Sequence, residues 1–221
     1  MAYQHLDINL TNWPRVEAFV GALEGRYLVD VHHMLRLPLK NMGVGGGCNF
    51  SAAHTLLAAV SGVSTTLYTQ RKGRYHAAFT DLLVDFYPWD DEDKAPLTKS
   101  QKHDVAEALW EEFRGALTHH AGHPMGWDKV NKQWAPAALG YNLVIKRWTK
   151  QNGNGLSESK LRILETSKPW PFPQMMTGTL VVDQNAKVLK VERFYWGVRQ
   201  MVERIACSPP HMRRAEKYFS R

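Results

Sequence analysis

The stretch "EEFRGALTHHAGHP", residues 111–124, gathers Arg114, His119, His120 and His123, residue types that handle phosphate and protons. An arginine keeps its charge at any physiological pH and can grip two phosphate oxygens together, whereas an imidazole exchanges a proton near neutrality. Read as R-x4-H, Arg114 and His119 suit phosphodiester cleavage without a metal. The guanidinium would meet the charge that develops on phosphate and the imidazole would move the proton. On an unbroken α-helix five residues turn about 140°. Convergence of the pair therefore requires the helix to unwind near Thr118, or the long arginine stem to swing across.

Two other chemistries are weaker. His119 and His123 stand four apart and would share a helix face if the helix continued, as zinc ligands do, but Gly122 and Pro124 argue against continuation. There is no glutamate at an H-E-x-x-H position and no nearby cysteine, so a zinc site would need remote ligands such as His32 or His33 of "DVHH". Those two histidines are expected at the boundary or in solvent, because Tyr27, Val31, Met34 and Leu35 mark the buried side of their helix. The run "GVGGGC" lacks the GK[ST] ending and preceding strand of a phosphate loop, and reads as a connector. No metal and no other cofactor is expected.

The elements that must hold these residues read as helices. Residues 12–37 carry apolar positions at helical spacing, with Pro14 suited to a first turn, and Pro38 discourages continuation. Four glycines then precede Asn49, an expected N-cap for "FSAAHTLLAAVSGVSTTLY". That segment is apolar around most of its circumference and reads as the central helix of a bundle. "RYHAAFTDLLVDFYP" gives a third helix. "TKSQKHDVAEALWEEFRGALTHH" gives a fourth, with Thr98 and Gln101 at capping-box spacing and a stripe of Val105, Ala108, Leu109, Phe113, Ala116 and Leu117. Residues 122–178 mix prolines, glycines and tryptophans and read as an irregular insertion, with one short strand or helix near 139–148. "TLVVDQNAKVLKV" reads as a small β-hairpin before a last helix, "ERFYWGVRQMVERIAC". The expected fold is all-α: a four- to five-helix bundle in a single domain over 1–221, with that insertion and hairpin.

At 221 residues the chain can bury a real core without disulfides, and Cys48 and Cys207 match no metal or disulfide framework. The N-terminus lacks a signal-peptide pattern, and no window reaches the roughly 18 uninterrupted apolar residues of a membrane span. A soluble, cytoplasmic protein with no membrane association is the expectation. A net charge of +7 favours polyanions such as nucleic acid, although part of the excess sits in the tail "MRRAEKYFSR".

The stretch "ALWEEFRGALTHHAG" resembles the motif helix of HEPN-like (higher eukaryotes and prokaryotes nucleotide-binding) domains. "CNFSAAHTLLAAVSGVSTTLY" is similar to the second helix of some bacterial members, and "VERFYWGVRQMVERI" to their closing helix. The resemblance implies a helical homodimer whose two R-x4-6-H motifs face each other in an RNA-cleaving cleft. It implies a metal-independent endoribonuclease, in a toxin or phage-defence setting with an antitoxin or other partner protein. Arg114 would stabilise phosphate, His119 would act as general base or acid, and His120 would replace a lost polar group, with Glu111 and His123 contacting substrate. The departure is Gly115, where many active members carry a polar residue. Members with degraded motifs act as binding or interaction modules, which is the alternative reading. A third is an unrelated helical protein in which "RGALTHH" is a helix terminus.

Overall fold

The computed structural model describes residues 3–36, 48–70, 73–89, 97–114, 125–128, 133–136, 142–146 and 186–221. The fold is all-α, a bundle of helices packed around one core. The first helix runs as α1 (Pro14–Leu23), a π-turn (Glu24–Leu28) and α2 (Val29–Arg36). Next come α3 (Asn49–Val63), extended by a π-turn (Ser64–Thr69), and α4 (Tyr75–Phe86). Then α5 (Lys99–Ala108) leads into a third π-turn (Leu109–Arg114). The chain closes with α6 (Val191–Ala206) and α7 (Pro209–Phe219).

The central helix is α3, which touches α2, α4 and α6. It buries Ala52, Ala53, Leu56, Leu57, Val60 and Val63, apolar positions on more than one face. Each fully buried Leu or Val removes enough apolar surface from water to be worth about 1.5–3 kcal/mol. By length and composition Phe50–Thr69 could also cross a membrane, a property it shares with the core helix of any bundle; half of the window is buried by its neighbours here.

The first π-turn explains a departure from the expected pattern. Val16, Val20 and Leu23 are buried on α1, and the next buried residue is Leu28, five positions on. One extra residue in the turn rephases the helix, so that Val31, His32 and Leu35 face the core on α2. His32, expected near solvent, is 1% exposed, while His33 is exposed as expected.

Helix ends are closed in three different ways. The expected capping box forms at α5: Thr98 N–H donates to Gln101 Oε1 at 2.9 Å and Gln101 N–H donates to Thr98 Oγ1 at 3.3 Å. Asn49 is not the N-cap of α3. It is the first helical residue, and Cys48, in the left-handed region at φ 41°, occupies the cap. Pro14 opens α1, as expected, and no side chain of its own segment caps it. Instead Glu216 of α7 accepts from the backbone N–H groups of Arg15 and Val16, each at 3.1 Å, placing a carboxylate on the positive end of the helix. The tail read only as basic charge is therefore a further helical segment that buries Met212 and Ala215 and docks Phe219 on Phe19 at 5.5 Å.

Among the described residues, four short strands accompany the helices. β1 (Met125–Asp128) pairs antiparallel with β2 (Gln133–Pro136), the register setting Trp127 opposite Trp134. β3 (Asn142–Lys146), in the stretch where one short element was expected, pairs in parallel with β4 (Ala186–Lys190). The expected β-hairpin before the last helix is not formed among the described residues. Its second arm is β4, partnered in parallel by β3, and its first arm lies outside them. Leu189 of β4 is fully buried, and "DQNA" carries none of the Asn-Gly or Asp-Gly signals that fix a tight hairpin. A short apolar run does not by itself specify its partner.

Candidate functional site

The end of the fourth helix brings Arg114 against the central helix. The switch from α5 to the π-turn widens the last helical stretch, so that Phe113 stays in the core at 1% exposed while Trp110 and Arg114 lie at its edge. Such π-turns recur at functional sites, where they re-aim side chains. Arg114 Nε donates to Ser61 Oγ of α3 at 3.3 Å. Its guanidinium carbon lies 4.0 Å from the centre of the Trp110 ring, a cation–π contact worth about 0.5–2 kcal/mol. Among the described residues no carboxylate forms an ion pair with Arg114. Partial burial pulls its pKa below the ordinary value, yet a guanidinium remains charged. The arrangement is a braced cation with a neutral hydroxyl and an aromatic face as supports, and among the described residues its charge is not neutralised by a carboxylate.

The other face of this region is built by α4. His76 stacks on Trp110, with ring centres 5.3 Å apart and planes within 10°, and its Nε2 lies 2.7 Å from Glu107 Oε2. Glu107 Oε1 is also 3.4 Å from Thr80 Oγ1 and 3.8 Å from His103 Nε2. Glu111, exposed, stands one turn beyond Glu107. Trp110 thus links Arg114 to a histidine–carboxylate cluster, and Phe79 seats the indole from below at 5.2 Å.

Of the site residues expected from sequence, Arg114 and Glu111 are described and lie on the same helical stretch. Glu111 joins the His76 and Glu107 group. His119, His120 and His123, with Gly115, lie outside the described residues, as does the glycine connector. His32 lies among the rings of Tyr3, His33 and Tyr195 instead. Sequence reasoning missed Ser61, Trp110, His76 and Glu107. His103, Glu107 and Glu111 do follow an i, i+4, i+8 pattern that marks one helix face, but His76 comes from another helix and carries no local signal. Comparisons with protein-family models, curated proteins and solved structures find no match for this chain.

Proposed function

We propose that this protein is a HEPN-like endoribonuclease that cuts RNA without a metal, through Arg114 and His119. The observation that carries the reading is the braced Arg114 guanidinium, held by Ser61 and Trp110 with no carboxylate ion pair among the described residues. In this reading His119 takes the proton from a ribose 2′-hydroxyl, whose oxygen attacks the adjacent phosphorus. The bond from phosphorus to the 5′-oxygen breaks, and that oxygen leaves as a 5′-hydroxyl with the proton that His119 gives up, opposite a 2′,3′-cyclic phosphate. Arg114 offsets the negative charge gained by the phosphoryl oxygens. His120 stands in for the polar residue missing at Gly115, Glu111 and His123 contact the substrate, and a second copy of the chain completes the cleft. A cytoplasmic toxin or phage-defence role, with an antitoxin or other partner protein, belongs to the same reading.

Gly115 favours a second reading, in which the same surface binds RNA or protein without cutting, because glycine leaves no side chain beside the arginine and loosens the helix by about 1 kcal/mol relative to alanine. Incubation of the purified protein with labelled RNA in EDTA separates the two. Cyclic-phosphate ends that are lost in Arg114→Ala and in His119→Ala support the nuclease. RNA retention without new ends supports the binding module.

A further inference from the structure

We infer that His76, Glu107 and Glu111 form a binding site for a divalent transition ion, which ties α4 to the end of α5 beside Trp110. One potential ligand atom from each residue lies within 4.8 Å of the others. Zinc bonds to imidazole nitrogen and carboxylate oxygen at about 2.0–2.2 Å, so a common ion needs its ligand atoms brought within about 4 Å of one another. A rotamer adjustment of the exposed Glu111 supplies that.

A second observation concerns the nitrogen itself, since the His76 side chain is 40% exposed as a whole. His76 Nε2 is itself shielded from solvent and has no hydrogen-bond partner, although Glu107 Oε2 is only 2.7 Å away. The carboxylate is near the nitrogen but does not satisfy it with hydrogen-bond geometry. A cation seated beside this pair, with Nε2 and Oε2 parting from 2.7 Å to make room, would take the nitrogen lone pair and both carboxylates together. Stacking on Trp110 fixes the ring plane of His76, and His103 and Thr80 approach the second oxygen of Glu107, as outer groups do when they orient a carboxylate ligand.

The donor set points to the kind of ion. One imidazole with two carboxylates is a nitrogen and oxygen set of intermediate softness, suited to Zn²⁺ and its transition-metal neighbours. Mg²⁺ prefers oxygen donors and retains its waters. The ion would join Glu107 and Glu111, one turn apart across the start of the π-turn, to a residue of α4. It would thereby hold rigid the indole on which Arg114 rests. The role is a positioning one and involves no step of RNA cleavage; with the ion bound, Glu111 is its ligand and the substrate contact proposed for it above falls to His123.

The experiment is equilibrium dialysis of the full chain against Zn²⁺ with excess Mg²⁺ present, on wild type, His76→Ala and Glu111→Gln, with the thermal midpoint recorded with and without Zn²⁺. Glu111→Gln alters an exposed side chain and keeps its volume, so it preserves the fold if His76→Ala does not. The expected result is one Zn²⁺ per chain that Mg²⁺ does not displace, bound at least tenfold more weakly by Glu111→Gln, with the zinc-dependent rise in thermal midpoint lost in that variant. Equal zinc binding by wild type and Glu111→Gln, or no binding by wild type, overturns the site. RNA is absent from the measurement, so its outcome is independent of the nuclease reading.

Discussion

Acidification should cost this protein more stability than its surface histidines explain, and His32 is the reason. The ring is 1% exposed, and Nε2 has no hydrogen-bond partner. Burial, reinforced by the positive charges of His33, Arg36 and Arg199, pulls its pKa down to about 4 from 6.5. Below pH 6.5 the unfolded chain takes up a proton that the folded chain refuses until about pH 4. Stability therefore falls as pH falls through that window, and is unaffected by this group above it. At about 1.36 kcal/mol per pH unit the full loss is about 3 kcal/mol, of which about 2 kcal/mol accrues between pH 7 and pH 5. Urea denaturation of wild type and His32→Leu at both pH values isolates the effect. His211, whose pKa burial also lowers, contributes alike to both proteins and cancels. Wild type should lose about 2 kcal/mol more than the variant on going to pH 5. Equal losses would refute the buried, neutral imidazole.

Three further outcomes follow from packing, capping and charge. Gly197→Ala drives its methyl into the ring and hydroxyl of the buried Tyr87, so overpacking of about 1–3 kcal/mol outweighs a helix-propensity gain of about 1 kcal/mol. Gly62→Ala, which meets no atom within 4 Å, should be neutral or stabilising by up to about 1 kcal/mol, and chemical denaturation of the pair checks the contrast. Glu216→Ala removes the acceptor for two N–H groups at the start of α1 and should lower stability by about 1–2 kcal/mol, read as a drop in urea midpoint with unchanged slope. If RNA is held through phosphates, its affinity should fall steeply between low and moderate salt, and Arg114→Ala should reduce the salt dependence; filter binding across a salt series reads both.

The bundle was legible in the sequence because its signals are local. The capping box at Thr98, Pro14 at a helix start, and the apolar spacing of Val105, Leu109 and Phe113 each belong to one stretch of chain. What escaped depends on relations that no short window contains. The π-turn at Glu24–Leu28 adds one residue to the repeat, and that alone turns His32 from the expected boundary into the core. The closing helix hid behind its charges, although Met212, Ala215 and Phe219 keep helical spacing among them. Its Glu216 acts on α1, across nearly the whole chain. β4 was visible as a β-prone run and β3 lies in the stretch read as one short strand or helix, but nothing in either run told that the two would pair in parallel.

For the candidate site, Arg114 could be named from its own segment, whereas its supports could not. Ser61 sits among the small residues of α3, where nothing in the sequence distinguishes it from a packing serine. Nothing in its own segment marks Trp110 as a support until the π-turn brings it under the guanidinium. His76 meets Glu107 only because α4 packs on α5.

The central claim is that Arg114 and His119 cut RNA without a metal. Its most direct test is end-group mapping of a labelled RNA incubated in EDTA with wild type, Arg114→Ala and His119→Ala. The account predicts 2′,3′-cyclic phosphate and 5′-hydroxyl ends from wild type only. No cleavage by any of the three proteins, or equal cleavage by all three, would contradict it.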